Sequence, residues 1–303
     1  MWFWFAVIAL LCWSGSDLFS KIGCQDEKDK YSHLKMVTAV GIVMGLHAAY
    51  EIFIGGVEIN LEVILTYLPV SALYIVSMAV GYLGLRYIEL SISSPICNSS
   101  GAIVAVLTII TVGIGDEVPP VALVAVALVC IGVIGLGFTE ANEDEELRRA
   151  RQDASNRHYA KSWIAIFIPI VYCLLDALGT FADSRVLEII NEDSANVAYE
   201  LTFLVVGLVS LFYVTVVKKQ RLVAKQEAPK YTGAIFETAG QFAYIYALAD
   251  TRHVALAAPM ISAYCVASVL WGRIFLKEKL SWKHYLMIAF VVAGIVMLGM
   301  YDE

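Results

Sequence analysis

The 303-residue chain predicts an all-α membrane protein, with ten transmembrane helices forming two inverted five-helix repeats around a central cavity. Three observations carry that prediction. The chain is 59% hydrophobic, where a soluble domain is roughly half apolar. Its apolar residues fall in blocks that match the roughly 20 helical residues needed to cross lipid. The same pattern occurs twice, each copy with an aspartate inside its first block: Asp17 one turn after Trp13, and Asp176 one turn after Tyr172.

The blocks of the first half are residues 3–22, 34–54, 64–83, 91–113 and 120–138. The first lacks the basic lead-in and cleavage site of a signal peptide, so it is expected to be retained. The second holds His47, expected as a hydrogen-bonded packing residue. The third presents Tyr74 and Met78 without an acid. In the fourth, Pro95 is followed by Asn98, Ser99, Ser100 and Gly101, polar and small residues suited to binding a solute or to close helix packing. Pro95, like Pro259 in the second half, sits early in its block and predicts a helix start or a mild kink.

The second half repeats the plan at 162–183, 196–217, 231–249, 254–276 and 283–301. Asp176 lies among Leu174, Leu175 and Ala177. Glu237, Gln241 and Tyr244 are spaced i, i+4 and i+7, a polar stripe that should face the bundle; the alternative is Glu237 reaching back to the interface. Tyr264 and Trp271 share a helix face and are expected to wall the cavity. Trp2, Trp4, Trp163 and Trp282 lie near block ends and read as interfacial anchors.

The only long polar stretch divides the chain into a first repeat over 1–139, a charged linker over 140–161 and a second repeat over 162–303. Nineteen of the 21 Lys and Arg residues fall in or beside the odd-numbered loops, which predicts those loops to be cytoplasmic and both termini outside. The opposite face is then acidic, with Glu51, Glu58, Glu62, Asp116, Glu117, Asp183, Glu188, Glu192, Asp193 and Asp250. The six cysteines form neither a disulfide framework nor a zinc site, so no metal is expected. No basic groove with interleaved aromatics points to nucleic acid, and no catalytic motif stands out.

The two copies align in several places. Trp13 to Asp17 matches Tyr172 to Asp176 at an offset of 159 residues. Tyr82 matches Tyr244, Pro95 matches Pro259, Glu117 matches Glu278, and Gly132 and Gly137 match Gly294 and Gly299, at offsets of 161 to 164. An odd number of spans per copy inverts the copies in the membrane, a plan of many secondary transporters with the substrate site near the midplane. On these residues, and most specifically on Ala255 to Pro259, Trp271 to Ser281 and Ala293 to Gly299, the chain resembles the EamA-type members of the drug/metabolite transporter superfamily. The resemblance implies movement of amino acids, amines, nucleotide sugars or other metabolites, often coupled to protons or by exchange. Many members are described with both termini in the cytoplasm, opposite to what the basic residues here predict.

Trp13 with Asp17, and Tyr172 with Asp176, stack on one helix face at i, i+4. A ring beside a carboxylate suits an ammonium group. Intramembrane acids are costly and by default functional, so Asp17, Asp176 and Glu237 are expected to bind substrate or protons. For Asp17 a local pair with Lys21 is an alternative. Trp13, Tyr172, Gln241, Tyr244, Tyr264, Trp271 and Asn98 are expected to line the path. Buried acid without matching buried Lys or Arg favours an amine, organic cation or amino acid over an anion. The expected function is secondary active transport by alternating access in a multi-pass protein of the cell membrane of a prokaryote. Its partners would be a small-molecule substrate, protons or a counter-substrate, and the lipid bilayer. The chain is expected to act as a monomer without a cofactor. A sensor or structural protein, or a carrier of an anionic metabolite, are the alternatives.

Overall fold

The computed structural model describes residues 1–24, 29–87, 90–113, 120–142, 163–277 and 280–300. Residues 143–161 of the charged linker, and the repeat positions Glu117 and Glu278, lie outside them, while Glu140 and Ala141 end the helix Pro120–Ala141. The described residues form helices and turns, with no strand. Helix α1 (Trp2–Cys24) is followed by α2 (Ser32–Tyr50), α3 (Leu61–Tyr87), α4 (Leu90–Cys97), α5 (Ser100–Val112) and α6 (Pro120–Ala141). The second half holds α7 (Trp163–Val186), α8 (Glu192–Phe212), α9 (Ala224–Ala249), α10 (Val254–Ser262), α11 (Tyr264–Phe275) and α12 (Trp282–Gly299). Both α2 and α8 close in a π turn, at Glu51–Gly55 and Tyr213–Val217.

Eight helical segments are long and apolar enough to cross a membrane. They include α4 with α5, and α10 with α11, each pair taken as one span. Helix α9 is not among them, since it carries Lys225, Glu227, Lys230, Glu237 and Gln241; α12 is apolar but shorter. This is the architecture of a multi-pass membrane protein. Large apolar side chains such as Phe53, Ile110 and Trp282 stand exposed around it, suited to hydrocarbon rather than water.

Two blocks expected to be continuous are broken. The fourth parts between α4 and α5, and the ninth between α10 and α11, each interruption lying four residues after a proline instead of at it. Ser99 (φ −64°, ψ −9°) and Ala263 (φ −66°, ψ −2°) stay right-handed but with ψ near zero, at the edge of the α region. At the first break, side chains compete for helix carbonyls: Asn98 Nδ2 donates to Ser94 O at 2.8 Å and Ser99 Oγ to Pro95 O at 3.0 Å. At the second, the Ala263 N–H is shared between Pro259 O and Met260 O, at 3.1 and 3.2 Å.

The extensive contacts pair α1 with α9, α3 with α7, α2 with α8, and α6 with α12. Small residues allow this closeness. Where α2 crosses α8, a Cβ on Gly41 would lie 2.8 Å from the Gly207 Cα, so no larger residue fits without separating the helices.

Candidate functional site

Helices α1, α3, α7, α8 and α9, with the two broken spans, enclose a cavity of about 80 Å³. One water needs about 10–15 Å³, so several fit. Asp17, Asp176 and Glu237 all lie on its wall, together with Trp13, Asn98, Tyr172, Gln241, Tyr244 and Tyr264. The i, i+4, i+7 stripe of α9 therefore does face inward. Trp271 does not reach the cavity; its Nε1 donates to Ser14 Oγ at 3.1 Å.

The carboxylates are held by serines. Asp17 Oδ2 accepts from Ser94 Oγ at 2.6 Å and from Ser268 Oγ at 2.7 Å. Asp176 Oδ2 accepts from Ser100 Oγ at 2.7 Å, and Glu237 Oε2 from Ser16 Oγ at 2.7 Å. Asp17 thus reaches α11 and Asp176 reaches α5, each aspartate meeting the second segment of the other half's broken span. The breaks matter here, because Ser94 and Ser100 lie on either side of one and serve different acids. Asp17 does not pair with Lys21, whose ammonium donates to Leu85 O at 2.7 Å.

Aromatic rings surround the acids. Trp13 contacts Tyr244 and Tyr264 with centroids 4.9 and 5.8 Å apart, and Tyr74 contacts Tyr199 and Tyr244 at 6.0 and 6.1 Å. Trp13 Nε1 is directed at the Glu237 carboxylate, while three buried donors on the wall, Ser20 Oγ, Tyr82 OH and Gln241 Nε2, have no hydrogen-bond partner among the described residues. Buried polar groups in native proteins are almost always bonded, so these are open to water or to an acceptor on a ligand. Among the described residues no Lys or Arg lines the cavity.

Buried lysines nevertheless exist, against the sequence expectation. Lys21, Lys35 and Lys230 are 1%, 5% and 1% exposed. Lys35 sits 2.9 Å from Asp29 and 3.4 Å from Glu227, while Lys230 sits 3.0 Å from Glu227 and 3.8 Å from Asp29. This four-charge cluster neutralises itself at the odd-loop end of α2 and α9, away from the cavity wall. Asp183 is a second correction: it was expected on the acidic outer face and is fully buried. Sequence reading also missed Glu200, buried in α8, which accepts from Asn196 Nδ2 at 3.3 Å and meets His47 Nδ1 at 2.8 Å. Its signal, an acid inside an apolar block, was the same one that marked Asp17. The serines and Thr180 left none, since a hydroxyl in an apolar block usually bonds its own helix.

The EamA-like transporter family matches residues 163–300. That match, over slightly less than half of the chain, is consistent with the EamA-type, drug/metabolite transporter resemblance of the sequence. A crystal structure of a protein 12% identical to this chain aligns with a TM-score of 0.64, covering 98% of this chain and 95% of that one. At that identity the likeness concerns the fold alone. No curated protein matches the chain.

Proposed function

We propose that the chain is a secondary active transporter of the cell membrane, moving a small amine, organic cation or amino acid by alternating access, coupled to protons or by exchange. The observation that carries this reading is one cavity holding three carboxylates, a ring of aromatic side chains and three unpartnered donors, with no basic residue on its wall among the described residues. Asp17, Asp176 and Glu237 would take an ammonium group or a proton. Ser20, Tyr82 and Gln241 would take an acceptor, such as the carboxylate of a zwitterion. An anionic sugar derivative would find three like charges and no cation there.

The reading includes ten spans in two inverted five-helix repeats, and the packing supports it. Trp13 lies against Gly240 and Tyr172 against Gly81, both positions of the first pair recurring 159 residues apart in the second. Ser20 against Gly233 and Gly179 against Tyr74 repeat the same offset. Gly132 meets Val291 and Gly294 meets Val129, at an offset of 162. The breaks at Ser99 and Ala263 are 164 apart, like the prolines before them. Swapping the partners in this way is what a two-fold axis in the membrane plane requires. Since one chain carries both halves, a monomer suffices.

The test is purified protein in liposomes, with uptake or a solid-supported-membrane current for amines, amino acids and anions. Asp176→Asn should reduce flux of the accepted solute by about 10- to 100-fold, the worth of a charge-assisted contact of roughly 1.5–3 kcal/mol, while the variant still folds. Unchanged flux in that variant would remove Asp176 from the mechanism, and flux of anions alone would end the cationic reading.

A further inference from the structure

Asp183 lies in the last turn of α7, about one turn beyond Thr180 toward the even-loop end, and has no exposed surface. It is not on the cavity wall. Two tyrosines of α3 hold it: the Tyr67 hydroxyl donates to Oδ1 at 2.7 Å and the Tyr74 hydroxyl to Oδ2 at 3.3 Å. Among the described residues no cation pairs with it. Arg185, two residues on, points outward and binds Glu188 at 2.9 Å.

A hydroxyl path leads from this hidden acid to the cavity. The Tyr74 hydroxyl also touches Thr180 Oγ1 at 3.3 Å and shares a short hydrogen bond with the Tyr244 hydroxyl. Tyr244 OH in turn donates to Thr180 Oγ1 at 2.9 Å. Tyr74, Tyr244 and Thr180 all line the cavity. Each of these hydroxyls can donate and accept at once. A carboxylate that served only to fasten α7 to α3 would need Tyr67 and Tyr74; it would not need Tyr74 to continue through two further hydroxyls to a wet chamber.

We propose that Asp183 is a proton-binding site, separate from the three cavity acids and wired to the cavity through Tyr244 and Tyr74, with Thr180 as an acceptor beside both hydroxyls. A hydronium ion in the cavity gives a proton to the Tyr244 oxygen and becomes water. The Tyr244 hydroxyl turns from Thr180 Oγ1 and passes its own proton to the Tyr74 oxygen, and Tyr74 passes its own to Asp183 Oδ2. Each hydroxyl ends with one proton and the carboxylate becomes a carboxylic acid. The groups facing Asp183 are Tyr67 and Tyr74 from α3 and Tyr244 from α9, with Tyr199 of α8 behind Tyr74 and Asp176 two turns back on α7. Intramembrane acids joined by such chains are a recurring means of moving protons. The role of the site in coupling rests on the transporter reading; its protonation does not.

The test therefore uses a pH change alone, with no solute. Infrared difference spectra of the protein in liposomes should show a carboxylic-acid C=O band that grows as pH is lowered, shifts in deuterium oxide and is missing in Asp183→Asn. Tyr74→Phe leaves the acid in place but interrupts the path, and the same band should then form at least about tenfold more slowly after a pH jump. The same bands in Asp183→Asn, or an unchanged rate in Tyr74→Phe, would overturn the proposal. Absence of solute flux in wild-type liposomes would instead remove the transporter reading and leave this measurement to decide Asp183.

Discussion

The contact of α1 with α9 and the contact of α3 with α7 share one backbone register and carry different chemistry. Trp13 meets Gly240 in the first and Tyr172 meets Gly81 in the second, at corresponding positions. At the positions where Ser16 donates to Glu237, the second contact has Leu175 and Met78. Beside these contacts, Lys21 of α1 binds Leu85 O of α3. At the positions 159 residues on, Thr180 of α7 accepts from Tyr244 of α9, so that in this packing register Tyr244 corresponds to Leu85 instead of Tyr82. The aromatic-on-glycine fit is kept in both because a close helix crossing tolerates little change in volume. The polar groups are not duplicated, and a second buried acid would carry its own desolvation cost of several kcal/mol. Packing symmetry and chemical asymmetry thus coexist in one bundle.

Met78→Glu is the largest test of that difference. It places an acid at the position corresponding to Glu237 with Leu175, not a serine, opposite. A loss of about 3 kcal/mol is expected, measured as a lower thermal unfolding midpoint in detergent, with partial recovery on adding Leu175→Ser. An unchanged midpoint would mean that the second contact accepts an acid as readily as the first.

Glycine replacements probe the shared register. Gly81→Val and Gly240→Val should each cost about 1–3 kcal/mol through overpacking. A Cβ at Gly81 already lies 2.9 Å from the Tyr172 ring, and one at Gly240 presses closer still on the Trp13 indole. The Gly240 variant should therefore unfold at the lower temperature. The reverse order would show that the two crossings differ in backbone as well as in side chains.

The smallest effect concerns the serines. Asp176 has one hydroxyl donor and Asp17 has two. Ser100→Ala should weaken binding of an accepted cation by about 1 kcal/mol, whereas Ser94→Ala leaves Ser268 in place and should do less. Titration of the purified variants with the accepted solute separates them. Equal losses would mean that donor number does not distinguish the two aspartates.

Much of the site was legible in the chain. Asp17, Asp176 and the Glu237, Gln241, Tyr244 stripe all reach the cavity wall, because helical spacing assigns a face and an intramembrane acid must turn from lipid. Trp271 shows the limit of that argument. It shares a face with Tyr264, but Tyr264 meets Trp13 while Trp271 meets Ser14. A shared face gives direction, not the identity of the neighbour opposite. Asp183 was misread because a residue near the end of an apolar block looks like loop, and its hydrogen-bond partners Tyr67 and Tyr74 lie more than a hundred residues away in sequence. Lys21, Lys35 and Lys230 read as loop-side charges for the same reason, yet all three are buried, Lys21 against Leu85 O of α3 and the other two in the cluster with Asp29 and Glu227.

By itself the sequence determined the helical, membrane-spanning class, the EamA resemblance and three of the acids, since apolar length, periodicity and the cost of buried charge are local properties. Only the tertiary structure decided which hydroxyls serve which acid, where two spans break, and that Asp183 is hidden behind tyrosines. Those depend on which helices lie side by side, and contacts between side chains distant along the chain have no signature in spacing.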